Sequence, residues 1–173
     1  ANTIFGGTGS DTIDAGAGAN QIDAGDGDND VTAGDGGNVV LAGGGNDTVA
    51  TGTGADSISI GGGNNSVTAG DGNDTIVAGS GTDTIDAGTG VDQINGGGGA
   101  DTFVFALGDS SPAAADSVTG WSSAAHLDIA GSAITAGNYT ELTHSDLAAA
   151  TTAANGLISA GTDDVVVVQV CSD

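Results

Sequence analysis

A chain of 173 residues with 23 acidic side chains and no Lys or Arg carries a formal net charge of −23. When compact it repels itself, so folding calls for cations or high salt. The lack of any basic residue to neutralise phosphate excludes nucleic acid and anionic membrane surfaces as partners.

Nearly all the acid is Asp, with Glu141 the only Glu; short carboxylates suit turns and metal loops better than helices. The single cysteine, Cys171, cannot build an internal disulfide framework and has no basic neighbour to activate it. Apolar runs such as residues 165–168 are far shorter than a bilayer span, so no transmembrane segment is expected. The first residue is not Met and no signal peptide is visible, which suggests a piece of a longer protein.

In chain order, residues 1–5 fit the last five positions of a nine-residue repeat, and eleven consecutive nonapeptides then run without a gap from 6 to 104. The first is GGTGSDTID and the last GGGGADTFV. Position two is always Gly, including Gly7, Gly43, Gly52, Gly70, Gly79, Gly88 and Gly97. Position four is too, including Gly9, Gly45, Gly54, Gly72, Gly81, Gly90 and Gly99. Position six is only ever Asp or Asn; position eight is Ile or Val in ten repeats and Phe103 in the eleventh. Glycines two apart permit positive φ and a tight turn whose carbonyls can converge. A β-branched residue then centres a very short strand. Position eight is expected to send the one inward side chain of each strand. Two repeats make one coil of a flattened spiral, so residues eighteen apart stack at about 4.8 Å. The fold class predicted for 1–104 is therefore all-β: a parallel β-roll, a two-sheet solenoid with two nonapeptides per coil.

An Asp/Gly-rich stretch can be a flexible linker, but strict phase with an apolar eighth position argues against that. An EF-hand beginning at Asp26, Asp28 and Asp30 fails, since the turn glycine is replaced by Val31 and the closing Glu by Gly37. The inward side chains alone cannot offset the entropy of ordering so glycine-rich a chain, and the stacked Asp residues would repel one another. A hard divalent cation answers both faults. Calcium takes six to eight oxygen ligands flexibly, whereas magnesium demands stricter geometry and keeps its waters. Zinc lacks ligands, since His and Cys are absent from the repeats.

The array resembles the repeats-in-toxin (RTX) family, whose pattern is GGxGxDxUx with U a large apolar residue; a first position that is mostly Ala, as at Ala15, Ala24 and Ala33, is a departure. The resemblance implies Ca2+ between neighbouring coils, bridged by sixth-position residues of repeats n and n+2. One edge would then align Asp11, Asn29, Asp47, Asn65, Asp83 and Asp101. The other would align Asn20, Asn38, Asp56, Asp74 and Asp92. That gives nine inter-coil steps and up to about eight or nine ions, with the charge-free step between Asn20 and Asn38 empty or weak. Third-position Asp26, Asp35 and Asp71 are candidates for further ligands. Ninth-position Asp14, Asp23 and Asp86 are expected to be solvated strand-edge groups.

Beyond Val104 the periodicity stops. Phe103 and Phe105 are expected to plug the open coil, residues 116–129 to form two short strands around Trp121, residues 146–154 a short helix capped by Ser145, and residues 164–170 a strand. Residues 105–173 are thus expected to be a capping region, cut short before a further strand, that resembles the segment after the roll in secreted RTX and surface-layer proteins. His126 and His144 lie in no catalytic motif, so no enzyme activity is expected of this chain. The expected function is a calcium-binding structural module of a secreted bacterial surface, surface-layer or fibre-type protein, exported by type I secretion and folding outside the cell. Self-assembly or contact with other cell-surface components would follow. The alternative is the C-terminal calcium module of a secreted protease or lipase; an HExxH or GxSxG motif upstream would decide for it.

Overall fold

The computed structural model describes residues 1–106, 109, 116–120, 122, 124–130 and 168–170, with residues 127, 129, 130 and 168–170 described as backbone only. Their strands, in chain order, are β1 (Thr3–Thr8), β2 (Thr12–Asp14), β3 (Gln21–Asp26), β4 (Asp30–Gly34), β5 (Val39–Leu41), β6 (Thr48–Thr51), β7 (Ser57–Ser59), β8 (Ser66–Thr68) and β9 (Thr75–Val77). These are followed by β10 (Ser80–Gly81), β11 (Thr84–Asp86), β12 (Gln93–Asn95), β13 (Gly98–Gly99), β14 (Thr102–Ala106), β15 (Asp116–Thr119), β16 (His126–Ala130) and β17 (Val168–Val170). No described residue is helical. The expected helix at 146–154, with Trp121, His144, Ser145 and Cys171, lies outside the described residues.

Consecutive repeats alternate between two parallel sheets. One has the order β1-β3-β5-β7-β9-β12-β15-β17 and the other β16-β14-β11-β8-β6-β4-β2. The register is eighteen residues, as in Thr3↔Gln21 and Thr12↔Asp30. This is the two-sheet roll that the nine-residue period predicts, of about six turns. The two-residue strands β10 and β13 pair within the loops, where third-position residues stack from coil to coil.

The interior differs from expectation in one respect. Position eight is buried, from Ile13 to Phe103, but so is position one: Ala15, Ala24, Ala33, Ala42, Ile60, Ala69, Ala78 and Ala87. Eight of the eleven repeats therefore bury two apolar side chains, the exceptions having Gly6, Thr51 or Gly96 at position one. The first-position Ala is a core residue, small enough to sit where the chain leaves the strand for the loop. The last repeat tests this packing. There Phe103 fills the core, and a Cβ on first-position Gly96 would lie 2.6 Å from its Cζ. A larger eighth residue thus requires a smaller first one. Phe103 and Phe105 are both fully buried, but they fill the core rather than end it, because β15 and β16 extend both sheets beyond them.

Loop glycines are required by conformation and by close approach. Gly79 has φ +94°, and a Cβ there would stand 1.7 Å from the carbonyl oxygen of Gly61 in the coil below. Stacked loops leave no room for a side chain at this position. Gly52 alone among the second- and fourth-position glycines lacks a positive φ; it follows a local shift in register, where Gly34 pairs with Thr51.

Candidate metal centres

Sixth-position side chains turn inward at the ends of the strands and build two ladders. On one edge the N–H of Asp11 donates to Oδ1 of Asn29 (3.0 Å), Asn29 to Asp47 (2.9 Å), Asp47 to Asn65 (2.9 Å), Asn65 to Asp83 (2.9 Å) and Asp83 to Asp101 (3.1 Å). On the other, Asn2 donates to Asn20 (2.9 Å), Asn20 to Asn38 (3.1 Å), Asn38 to Asp56 (2.6 Å), Asp56 to Asp74 (2.8 Å) and Asp74 to Asp92 (2.8 Å). The structure thus brings all eleven aligned residues into the two expected columns. All are buried except Asp11, which is half-buried.

The second terminal atom of each side chain distinguishes the rungs. The Nδ2 of Asn20 donates to the carbonyls of Gly16 (2.8 Å) and Gly18 (2.8 Å) in its own loop, and to Ala33 O (3.1 Å) and Asn38 Oδ1 (3.1 Å) in the next coil. Asn29 repeats the arrangement with Gly25 (3.2 Å), Gly27 (2.8 Å), Ala42 (3.3 Å) and Asp47 Oδ1 (3.0 Å). Asn38 bonds Gly34 (2.9 Å), Gly36 and Asp56 Oδ1 (3.0 Å); Asn65 bonds Gly63 (3.3 Å) and Asp83 Oδ1 (3.0 Å). The amide nitrogen therefore sits in a cage of oxygens contributed by two coils.

An Asp in the same rung has an oxygen where Asn has this nitrogen. The Oδ2 atoms of Asp11, Asp47, Asp56, Asp74, Asp83, Asp92 and Asp101 are buried with no hydrogen-bond partner. A buried, orphaned carboxylate oxygen among carbonyls is costly unless a positive charge lies between them. Burial pushes the carboxyls of Asp47, Asp74, Asp83 and Asp101 above the usual range, partly opposed by the backbone N–H each accepts. For Asp92 burial, with the charges of Asp116, Asp74 and Asp109 adding to it, pushes the value up to about 7. Oxygen-only cages with surplus negative charge fit a hard cation of flexible coordination, which is calcium. Among the described residues no three His, Cys, Asp or Glu side chains converge on one point, so an ion held in a cage would draw on main-chain carbonyls as well.

A family model of the RTX calcium-binding nonapeptide repeat (4 copies) matches residues 1–31, 23–58, 32–67, 59–94, 68–103 and 78–111. The chain belongs to the RTX family. RTX repeats bind Ca2+, and the sixth-position cages of this chain hold buried carboxylate oxygens without a hydrogen-bond partner. No curated protein matches the chain.

The other acidic positions of the RTX repeats lie outside the two buried ladders. Third-position Asp26, Asp35 and Asp71 are exposed on the loops, accepting hydrogen bonds from Gly44 N–H (3.3 Å), Thr53 N–H (3.1 Å) and the Thr89 hydroxyl (2.8 Å). Ninth-position Asp14 and Asp23 are exposed; Asp86 is half-buried, its carboxyl raised by burial and by the nearby Asp109 charge. Fifth-position residues form an exposed ladder that composition does not advertise, with Asn46 N–H donating to Asp28 (2.6 Å) and Asn64 N–H to Asn46 (2.8 Å). Sequence reasoning missed Asp116, whose Oδ1 accepts the Asp92 N–H at 2.8 Å and continues the second ladder past the repeats. The signal was its spacing from Val118, since Asp116-Ser117-Val118 repeats the D-x-U of positions six to eight.

Proposed function

We propose that this chain is the calcium-folded structural module of a secreted bacterial surface or fibre-type protein, unfolded at the low calcium of the cytosol and folding after export. The observation that carries this reading is the contrast between rungs. Every sixth-position Asp leaves a buried oxygen without a donor, while every sixth-position Asn closes the same cage with its own amide. The chain therefore has steps that need a cation and steps that do not.

With the lower residue of each step as the determinant, cations belong at Asp11–Asn29, Asp47–Asn65, Asp56–Asp74, Asp74–Asp92 and Asp83–Asp101. The Asn20–Asn38, Asn29–Asp47, Asn38–Asp56 and Asn65–Asp83 steps are latched by amides. Asp56–Asp74, Asp74–Asp92 and Asp83–Asp101 bring two carboxylates each and bind first, because affinity follows ligand charge. Bound in these cages, calcium supplies the charge that turns oxygen–oxygen repulsion between coils into cohesion. Extracellular modules bind calcium at about 10⁻⁴ to 10⁻³ M, far above cytosolic levels, so metal binding and folding coincide outside the cell. The Ala-, Thr- and Ser-rich segment after the roll favours a surface or fibre role, as does the exposed Thr and Ser wall of the sheet that holds β2, β4, β6, β8 and β11. Equilibrium dialysis against radioactive calcium tests the assignment. Saturation at about five or six ions per chain is expected, and eight or nine would contradict the amide-latched steps.

A further inference from the structure

Beyond the eleventh nonapeptide the sheets continue in register. Strand β15 pairs with β12 through Gln93↔Ser117, Ile94↔Val118 and Asn95↔Thr119. The flanking bonds match those inside the array. Ser117 N–H donates to Asp92 O at 2.8 Å, as Gln93 N–H does to Asp74 O at 2.8 Å; Gly96 N–H donates to Thr119 O at 3.0 Å, as Ala78 N–H does to Asn95 O at 2.9 Å. Residues 116–119 thus occupy positions six to nine of a twelfth repeat, with Val118 fully buried as its eighth residue and Phe105 buried as its first. Asp116 stands 24 residues after Asp92 rather than eighteen, because this coil carries six extra residues.

Asp116 is 1% exposed and Asp92 0%. The Asp92 N–H binds Asp116 Oδ1, as each lower rung binds the one above. The other Asp92 oxygen, Oδ2, is buried with no hydrogen-bond partner. In the Asn rungs this second atom faces the Oδ1 of the next coil and the carbonyls of positions two and four of its own loop. The atoms at the equivalent repeat positions around Asp92 are Asp116 Oδ1, Gly88 O and Gly90 O. Asp109, itself buried, places a third negative charge near Asp92, and its carbonyl accepts the Gly90 N–H (3.4 Å). Position three of the next coil plays that part elsewhere, as when Thr89 O accepts Gly72 N–H at 2.8 Å.

We propose that Asp92 and Asp116, with the carbonyls of Gly88 and Gly90, form a further calcium site outside the nonapeptide array, which fastens the degenerate twelfth repeat to the roll. This rests on the reading that orphaned Asp rungs bind calcium. The site makes order in the segment after the array depend on the same ion that orders the array, since β15 carries the upper carboxylate and β17 pairs with β15.

Two variants of the full chain test it by equilibrium dialysis against radioactive calcium, with circular dichroism as the measure of folding. Asp116→Asn keeps the acceptor for the Asp92 N–H and removes the upper charge, its new amide nitrogen replacing the oxygen that does not bind that N–H. Asp92→Asn places an amide nitrogen in the cage. In calcium that saturates the parent chain, Asp116→Asn should keep the β spectrum and bind one ion fewer, with at least a tenfold loss of affinity at that site. Asp92→Asn should bind at least one ion fewer. Should Asp116→Asn fail to fold, Asp92→Asn, which supplies its own hydrogen bonds, decides by its count. Parent and variants binding equal numbers of ions with equal affinity would overturn this site and leave the array sites standing. A parent chain that binds no calcium would instead overturn the reading beneath it.

Discussion

Asp74→Asn is the substitution for which the two kinds of rung predict opposite effects at low and high calcium. Asp74 is 1% exposed; its Oδ1 accepts the Asp56 N–H at 2.8 Å and its Oδ2 has no partner. The amide keeps the first bond and turns the orphaned oxygen into a donor facing Gly70 O, Gly72 O and Asp92 Oδ1, on the pattern of Asn20. Two or three new hydrogen bonds at about 1 kcal/mol each, with one buried charge removed, stabilise the metal-free fold by roughly 2–3 kcal/mol. An ion present at a hundred times its dissociation constant contributes about 2.7 kcal/mol, and each bound ion adds about 1.4 kcal/mol per tenfold rise in calcium. Asp74→Asn should therefore be the more stable chain at limiting calcium and the less calcium-responsive one, its stability rising by about 1.4 kcal/mol less per decade. Urea unfolding followed by circular dichroism across a calcium series gives both slopes. Asp14→Ala, at an exposed ninth position, should leave the slope unchanged. Parallel lines for Asp74→Asn, or equal effects from Asp74→Asn and Asp14→Ala, would refute the assignment of the sixth-position oxygens.

The reverse exchange, Asn38→Asp, removes the bonds to Gly34, Gly36 and Asp56 and should add one bound ion in dialysis while lowering stability in limiting calcium by about 3 kcal/mol. Gly79→Ala, at φ +94° against Gly61 O, should destabilise the calcium-bound roll by on the order of 3 kcal/mol in urea unfolding, whereas Gly98→Ala, with no atom within 4 Å of its Cβ, should shift it by less than about 0.5 kcal/mol. Without metal, carboxyls raised by burial take up protons on folding, so their contribution is complete below the unfolded value of 3.8 and lost as pH rises through the folded value, about 7 for Asp92. Circular dichroism in chelator should thus show most β structure near pH 4 and least above 7, with Asp92 worth at most about 4 kcal/mol of that difference. With calcium the trend should invert, as protons compete for the same oxygens.

Most of the fold was legible because one period imposes it. Eleven in-phase copies set strand length, coil size, both sheets and the two sixth-position columns without any tertiary information. What escaped lay where the period breaks or where atom type outranks residue class. First-position Ala is small and gives no strong apolar signal, and it is its burial in the structure that places it in the core. Asn looked like a weak ligand by charge count; the contacts of Asn20 Nδ2 instead make it a donor occupying the cage. Asp116 was hidden because six extra residues move it from eighteen to 24 places beyond its partner. Strand β16 falls in step with a thirteenth repeat, with His126 N–H on Asp101 O at 2.6 Å, yet the sequence at 120–128 retains only one glycine and has Ala125 where the array has Asp or Asn.

The most direct test of the central claim is whether calcium supplies the free energy that orders this chain. Circular dichroism of the metal-free chain at neutral pH and low ionic strength should show a largely disordered spectrum, because the buried Asp oxygens and 23 acidic groups oppose compaction. Millimolar calcium, but not magnesium at the same concentration, should convert it to a β spectrum, and chelator should reverse the change. A stable β spectrum in chelator at low salt would contradict the account.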